Sequence, residues 1–176
     1  MQISRLKPVI SDDEIKTAVK KLADEIRRDY LDKHPVLIGI LKGSFMFLSD
    51  LIKELDAPVK IDFIRAASYG SDDYSSGKVM LTKDIDMSIK GMDVLVVEDI
   101  VDTGYTLQFI INRIKTQMPS SIKVCSLMDR PEKRTAAVKV DYAGFRLNKD
   151  VGFVVGYGLD YNEDYRYLHG IYEMVT

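Results

Sequence analysis

Three short stretches of the chain are almost continuously apolar and rich in β-branched residues: 35–41 (PVLIGIL), 93–98 (DVLVVE) and 122–128 (IKVCSLM). A strand with one face in water alternates apolar and polar residues, so these runs predict strands that are buried on both faces. Segments with helical spacing of apolar residues, 45–55 and 107–114, separate them. This alternation predicts an α/β fold, an open and mostly parallel twisted sheet flanked by helices.

The composition allows one such core and excludes several classes of protein. With 176 residues, 46% of them hydrophobic, the chain has the usual size of a single domain. A net charge of −2 gives no overall field for nucleic acid or an anionic membrane, and no apolar run reaches the ~20 residues of a membrane span. The single Cys125 cannot form an internal disulfide, and the N-terminus MQISRLKPVI is too short and polar for a signal peptide. We therefore expect a soluble, cytoplasmic protein.

Further elements are predicted on either side of these runs. An amphipathic helix with a capping box between Ser11 and Glu14 is predicted in SDDEIKTAVKKLADEIRRDY. Strands are predicted at 59–68 and 79–85. The segment between them, 68–78, is dense in Gly, Ser and Asp and predicts a long mobile loop. Two late strands are predicted in VKVDYAGF and GFVVGYG.

The segment VLVVEDIVDTGYTL (94–107) joins the end of a buried strand to acids, hydroxyls and a glycine. In sheets of this kind ligands bind beyond the carboxyl ends of the strands, where these side chains fall. Residues 102–106 form a strand-to-helix turn whose free amides and threonine hydroxyls can bind a phosphate, which Gly104 allows to approach closely. An N-capping Asp102 in an ordinary turn is the simpler alternative. The full pattern favours a phosphorylated sugar.

The adjacent acids Glu98 and Asp99 repel each other unless a ligand compensates their charge. Side chains alternate across a strand, so the two carboxylates are expected to have separate roles. Carboxylates beside a bound phosphate suit ribose hydroxyls, as hydrogen-bond acceptors, or Mg²⁺, reached directly or through water.

The segment VLVVEDIVDTGYTL (94–107) resembles the phosphoribosyl-pyrophosphate signature of the type I phosphoribosyltransferases. LKGSFMFLSDL (41–51), DFIRAASYG (62–70) and GFVVGYGLDYNEDYRYL (152–168) resemble, more specifically, the hypoxanthine-guanine phosphoribosyltransferase family. The resemblance implies one domain, 1–176, with the type I phosphoribosyltransferase fold. Its core would span about 11–140, and the N- and C-terminal segments, about 1–10 and 141–176, would form a small hood.

The resemblance also implies roles for the acids and the turn. Glu98 and Asp99 would bind the ribose hydroxyls, and with Asp160 they would bind Mg²⁺. Asp102 would act as general base toward the purine's imidazole ring, since an aspartate is ionised at neutral pH and can accept a proton. The 5′-phosphate would lie on the turn formed by Asp102, Thr103, Gly104, Tyr105 and Thr106.

Pyrophosphate and purine would be bound by residues distant in sequence. Pyrophosphate would contact Lys42 and Gly43, where the Leu41–Lys42 peptide can be cis in the family, and Arg166, whose guanidinium matches phosphate oxygens. Ser68 and Tyr69 would begin a lid that includes 70–77 and excludes water from the reaction. Lys133 would donate to the purine's exocyclic oxygen, Phe153 would stack on the base, and the Val154 backbone would hydrogen-bond its edge. Many relatives have Lys or Asn in place of Tyr105, and some have Lys in place of Gly152.

The resemblance implies Mg²⁺-dependent transfer of a 5-phosphoribosyl group from phosphoribosyl pyrophosphate to hypoxanthine or guanine. It also implies a homodimer or homotetramer, with neither nucleic acid nor membrane as a partner. Two alternatives stay open. One is a different base, such as xanthine or a pyrimidine; the other is a nucleic-acid-binding regulator that keeps the pocket as a sensor, against which the net charge of −2 argues.

Overall fold

The computed structural model of the chain describes residues 5–68 and 79–175. The strands are β1 (Arg5–Ile10), β2 (Val36–Ile40), β3 (Lys60–Ser68), β4 (Val79–Lys83), β5 (Asp93–Val101), β6 (Ser121–Asp129), β7 (Tyr142–Arg146), β8 (Val154–Val155) and β9 (Ile171–Val175). The helices are α1 (Asp12–Asp29), α2 (Phe45–Leu55) and α3 (Tyr105–Lys115), with a 3₁₀ helix at Pro131–Lys133. In the two described ranges, no helix is long and apolar enough to cross a membrane.

The main sheet has six strands in the order β4-β3-β2-β5-β6-β7. All neighbours are parallel except β3 and β4, and the parallel register pairs Val36 with Val94 and Val94 with Ile122. The predicted open, mostly parallel sheet is therefore confirmed. Strand β5 lies between β2 and β6, so the carboxyl ends of three parallel strands meet around the end of β5.

Apolar side chains of the strands pack on both faces of this sheet. Along β5, Leu95 and Val97 join the cluster formed with α1 and α2, whereas Val94 and Val96 join the cluster that includes α3. The continuous apolar runs thus serve two cores, as predicted from the sequence. Burying one such aliphatic side chain contributes roughly 1.5–3 kcal/mol, and these cores hold the strand ends in fixed positions.

Helix α1 begins with the predicted capping box. The Glu14 backbone N–H donates to Ser11 Oγ (3.3 Å), and the Ser11 backbone N–H donates to Glu14 Oε2 (2.8 Å). Two of the amide groups at this helix end are therefore satisfied locally. The opposite face of the helix buries Ile15, Val19, Leu22 and Ile26 against the sheet and α2.

A second, antiparallel sheet is formed by β1, β9 and β8, from the two ends of the described chain. Strand β7, in the segment that the resemblance assigns to the hood, pairs with β6 in the main sheet. The late strand predicted in GFVVGYG is reduced to β8. Its backbone turns immediately afterwards, with positive φ at Gly156 (103°), Tyr157 (49°) and Gly158 (96°). A Cβ at Gly156 would lie 2.1 Å from the Gly170 carbonyl oxygen, so the turn needs glycine.

Candidate active site

The two adjacent acids lie at the carboxyl end of β5. Glu98 is buried, with 8% of its surface exposed, and Asp99 is half-buried. Burial, and then the negative charge of Asp99, raise the pKa of Glu98 well above its ordinary value, and burial also raises the pKa of Asp99. A bound cation, or donors such as sugar hydroxyls, would stabilise the ionised forms.

The turn predicted to bind phosphate connects β5 to α3. Gly104 is the N-cap of α3, with a φ of 84°, and a Cβ there would lie 2.6 Å from Val138 Cγ2. The side chains of Thr103, Tyr105 and Thr106 are exposed around the buried glycine. The first amides of a helix lack acceptors within that helix, so this turn offers donors at the positive end of α3.

The turn after β2 lies directly beside these acids. Its Leu41–Lys42 peptide is cis, as the resemblance implied. A Cβ at Gly43 would lie 1.6 Å from Asp99 Oδ2, so only glycine allows the turn to pass over the carboxylate. On the other side, a Cβ at Gly158 would lie 2.4 Å from the Gly43 carbonyl oxygen. The two glycines let the turn pack between β5 and the C-terminal segment.

The C-terminal segment brings its charged residues to the same place. Arg166 Nη1 donates to the Gly158 carbonyl (2.7 Å), and Arg166 Nη2 pairs with Asp160 Oδ1 at 2.8 Å. Glu163, which sequence reasoning missed, pairs with Lys42 Nζ at 2.8 Å and with Arg166 Nη2 at 3.1 Å. The two cations predicted to bind pyrophosphate are therefore linked through one carboxylate.

These elements surround a cleft of about 370 Å³. Of the predicted site residues, it is lined by Lys42, Gly43, Asp99, Asp102, Phe153, Val154, Asp160 and Arg166. Glu98, Lys133 and the turn residues 103–106 are not among its lining. The lid residues Tyr69 and 70–77, and the side chain of Ser68, lie outside the part of the chain that the structure describes.

Residues 11–162 match the phosphoribosyl transferase domain family. The chain is also 44% identical, over 162 residues, to the hypoxanthine-guanine phosphoribosyltransferase of Bacillus subtilis, an alignment that covers 92% of this chain and 89% of that protein. The chain belongs to the hypoxanthine-guanine phosphoribosyltransferase family.

Two further comparisons agree. A crystal structure of a hypoxanthine-guanine phosphoribosyltransferase from Bacillus anthracis, with a HEPES molecule in its active site, superposes with a TM-score of 0.91 at 43% identity and covers 97% of this chain and 100% of that one. The predicted type I phosphoribosyltransferase fold is thereby confirmed. The bifunctional protein TilS/HprT of Listeria innocua is 41% identical over 162 residues, but this chain spans only 25% of its length.

The structure places Lys133 away from the other predicted purine-binding residues. Lys133, predicted to recognise the purine oxygen, ends the 3₁₀ helix and is not among the residues that line the cleft. Arg130 lines the cleft instead and is only 3% exposed. Because Val101 pairs with Asp129 across β5 and β6, the residue after each strand, Asp102 or Arg130, emerges at the same level. That register is the signal that distinguishes Arg130 from the other cations of RPEKRT.

Arg130 and Asp102 face each other without a hydrogen bond. Arg130 Nε lies 3.3 Å from Asp102 Oδ1, and Arg130 Nη2 donates to the Gly152 carbonyl (2.7 Å). Both Nε and Oδ1 are buried, and neither has a hydrogen-bond partner in the described residues. The two groups therefore form an ion pair without hydrogen-bond geometry, between a buried guanidinium and a carboxylate that lines the cleft.

A second arginine of RPEKRT, Arg134, binds the backbone of the turn between β5 and α3. Its Nε donates to the Asp102 carbonyl (2.9 Å) and its Nη2 to the Val101 carbonyl (3.1 Å), while the guanidinium also pairs with Asp129. These hydrogen bonds hold the carbonyls of Val101 and Asp102 in place at the start of the turn. Sequence reasoning missed Arg134, because it gave a role in this segment to Lys133 alone.

One side of the cleft is lined by Phe153, which forms an aromatic pair with Tyr161. Phe153 is 54% exposed, so it is not an ordinary core phenylalanine. Its ring meets Tyr161 edge-on, with the ring centroids 5.8 Å apart and the planes at 75°. One face of Phe153 thus remains open toward the cleft, where a planar base can stack.

Proposed function

We propose that the protein is a purine-salvage enzyme that transfers the 5-phosphoribosyl group of phosphoribosyl pyrophosphate to hypoxanthine or guanine, giving IMP or GMP and pyrophosphate. The observation that carries the proposal is the convergence in one cleft of Asp102, Arg130 and Phe153 with the cations Lys42 and Arg166. Each of them supplies what one part of this reaction requires.

In the reaction, a nitrogen of the purine's imidazole ring bonds to the anomeric carbon of the ribose. The bond from that carbon to the pyrophosphate oxygen breaks, and pyrophosphate leaves with the electron pair. Asp102 takes the proton that the attacking nitrogen loses. A positioned general base contributes roughly 10²- to 10⁴-fold in rate. Cleavage running ahead of bond formation leaves positive charge on the sugar, which the acids at the end of β5 tolerate.

Arg130 takes the purine-recognition role that the sequence had assigned to Lys133. A guanidinium donates hydrogen bonds and accepts none, so it binds an exocyclic oxygen and rejects the amino group of adenine. Hydrogen bonds to charged groups contribute about 1.5–3 kcal/mol, which is enough to select oxopurines. Phe153 stacks on the base, and the Val154 backbone meets its edge.

The 5′-phosphate lies on the amides of residues 103–106, with the hydroxyls of Thr103 and Thr106 as further donors. A helix dipole alone contributes only about 0.3–1 kcal/mol, so the hydrogen bonds of the turn carry most of the binding. Lys42, Gly43 and Arg166 bind the pyrophosphate. Ser68 and Tyr69 begin the lid that excludes water during transfer.

Mg²⁺ fits the carboxylates of this site. In residues 5–68 and 79–175 no group of three or more possible ligands is clustered. Mg²⁺ typically binds one or two carboxylates together with substrate phosphates and water, and the raised pKa values of Glu98 and Asp99 mark a place where positive charge is favourable. Either Asp160 or the Glu98–Asp99 pair would hold an ion together with substrate oxygens and water, and the ion, when bound, would neutralise the charge of the departing pyrophosphate.

The remaining proposals concern organisation. The chain forms one phosphoribosyltransferase domain, 1–176, in which the small antiparallel sheet acts as the hood over the purine. It works as a homodimer or homotetramer in the cytoplasm, with no nucleic-acid or membrane partner. The family resemblance supports the assembly, and the single Cys125 supports a reducing compartment.

The test is product formation. The purified protein is incubated with phosphoribosyl pyrophosphate, Mg²⁺ and, in turn, hypoxanthine, guanine, xanthine, adenine and uracil. We expect conversion of hypoxanthine and guanine, and the two kcat/KM values rank them. Turnover with xanthine or uracil alone would replace the proposed base preference. Binding of phosphoribosyl pyrophosphate without turnover of any base would identify a sensor.

A further inference from the structure

Glu163 links two cations that come from distant parts of the chain. Its Oε1 lies 2.8 Å from Lys42 Nζ, in the turn after β2, and its Oε2 lies 3.1 Å from Arg166 Nη2, in the C-terminal segment. Each oxygen of the carboxylate therefore serves one cation. Lys42, and then Arg166, hold the pKa of Glu163 below its ordinary value, so the group is ionised at neutral pH.

The position of Glu163 at the cleft is fixed by the backbone of its turn and does not depend on contacts of the Glu163 side chain. The turn is closed by two backbone hydrogen bonds between Tyr161 and Asp164, of 3.2 and 3.1 Å. Asn162 and Glu163 have φ values of 52° and 66°, and the Glu163 backbone N–H donates to Asp160 Oδ2 (2.9 Å). Glu163 lines the cleft as a result. A side-chain substitution there leaves the hydrogen bonds that fix the turn intact.

We propose that Glu163 is an internal competitor of pyrophosphate, occupying Lys42 and Arg166 before the diphosphate binds and again after it leaves. This inference rests on the proposed function, in which the same two cations bind pyrophosphate. A carboxylate and a diphosphate are both anions that accept hydrogen bonds from these donors, so their simultaneous binding is opposed by repulsion and by competition for the same N–H groups.

The pair between Glu163 and Lys42 is suited to exchange because it is exposed to solvent. The side chain of Glu163 is 64% exposed and that of Lys42 is 44% exposed, whereas that of Arg166 is 19% exposed and also pairs with Asp160. Solvent-exposed ion pairs contribute little to stability, so a diphosphate with greater charge can displace the carboxylate. The consequence for the enzyme is a lower affinity for pyrophosphate and a faster release of this product.

The test compares two substitutions in the same turn. Glu163→Gln removes the competing charge and keeps the side-chain size, whereas Asp164→Asn removes a charge whose carboxylate makes no ion pair in the described part of the chain. Calorimetry measures the Kd of pyrophosphate, with and without Mg²⁺, for both variants and the parent. We expect Glu163→Gln to tighten pyrophosphate binding about 3- to 10-fold, the size of one exposed and one partly buried ion pair, and Asp164→Asn to change it less than about 2-fold.

A kinetic measurement supplements the binding data. The inhibition constant of pyrophosphate as a product should fall in Glu163→Gln by the same factor as its Kd, while the KM of the purine stays unchanged. If both variants bound pyrophosphate more tightly by the same factor, the effect would come from the loss of one negative charge anywhere in the turn, and the proposal would be overturned. Weaker binding in Glu163→Gln would mean that Glu163 helps to hold pyrophosphate, and would also overturn it. If the parent protein binds no pyrophosphate at all, the proposed function itself is wrong.

Discussion

The two ends of strand β6 both carry charged side chains, but they satisfy those charges in opposite ways. Near the amino end, Lys123 Nζ donates to Asp29 Oδ2 (2.7 Å) and to the Tyr142 hydroxyl (2.9 Å). The hydrogen bond from Lys123, and then that from Tyr142, lower the pKa of Asp29. Burial, and then the bond to Asp29, raise the pKa of Tyr142 to about 12. The charges at this end stabilise one another.

At and just beyond the carboxyl end of β6, some polar side-chain atoms lack hydrogen-bond partners. Asp102 Oδ1 and Arg130 Nε are buried without hydrogen bonds in the described residues, and the pKa values of Glu98 and Asp99 are raised. The amino end also has one unpaired group, the Tyr30 hydroxyl, but it is uncharged. The comparison separates a network whose hydrogen bonds are complete from a region in which an ion pair lacks hydrogen-bond geometry and two neighbouring acids have raised pKa values.

Replacing an acid at each end should separate the two roles most clearly. Asp102→Asn removes the general base, so kcat for IMP formation should fall roughly 10²- to 10⁴-fold. Asp29→Asn is the matched control, with kcat within about 2-fold of the parent and a lower Tm. Undiminished turnover by Asp102→Asn would remove the base assignment.

A second pair of variants decides between the two purine-recognition candidates. Arg130→Met removes the guanidinium from the cleft, so kcat/KM for hypoxanthine should fall roughly 10- to 150-fold, the equivalent of one charge-assisted hydrogen bond. Lys133→Met, outside the cleft, should change it less than about 2-fold. Steady-state kinetics with varied hypoxanthine measures both. A larger loss in Lys133→Met would restore the assignment made from the sequence.

Substitutions at two glycines with positive φ should separate the cost of backbone strain from the cost of a steric clash. Gly91 has a φ of 70° and open space where a Cβ would lie, whereas a Cβ at Gly104 would clash with Val138 and Arg134. Gly91→Ala should therefore cost roughly 1–2 kcal/mol of unfolding free energy and leave the KM of phosphoribosyl pyrophosphate unchanged. Gly104→Ala should cost about 1–3 kcal/mol more, from overpacking, and raise that KM. Urea denaturation and kinetics give the two numbers, and equal costs would contradict the packing argument.

The smallest predicted effect is the pH dependence of the stability that Lys123 and Asp29 contribute near the amino end of β6. Because the folded-state pKa of Asp29 is lowered, its contribution to stability is present above the unfolded pKa of ~3.9 and is lost as pH falls through the folded value. Lys123→Met should therefore destabilise the protein at pH 7, with a difference from the parent that narrows below about pH 4. Denaturation curves at several pH values provide the check, with unchanged kcat/KM as the control. A difference that is constant with pH would show that Lys123 acts through packing alone.

Much of the fold follows from the sequence because it depends on local patterns. The apolar runs of β2, β5 and β6 and the capping box of α1 are readable from residue type and spacing, and the structure confirms them. The strand β8 is shorter than predicted for a reason that is not local. Gly156 must avoid the Gly170 carbonyl, a contact between residues distant in the chain.

Residues of the candidate site that lie in one sequence motif could be predicted, whereas residues whose position depends on tertiary contacts could not. The acids and the glycine turn lie together on one continuous segment, so their spacing is visible in the sequence. The position of Arg130 beside Asp102 depends on the register of β5 against β6, in which Val101 pairs with Asp129, and this register is not visible in the sequence. Glu163 is an ordinary surface acid until the fold brings Lys42 within 2.8 Å of it.

A crystal structure with IMP bound tests the central claim most directly, namely that one nucleotide spans the cleft from the β5–α3 turn to Arg130. The account predicts the phosphate over the amides of 103–106, the base stacked on Phe153, and the purine oxygen within hydrogen-bonding distance of the Arg130 guanidinium. A phosphate bound elsewhere, or a purine oxygen held by Lys133, would contradict it.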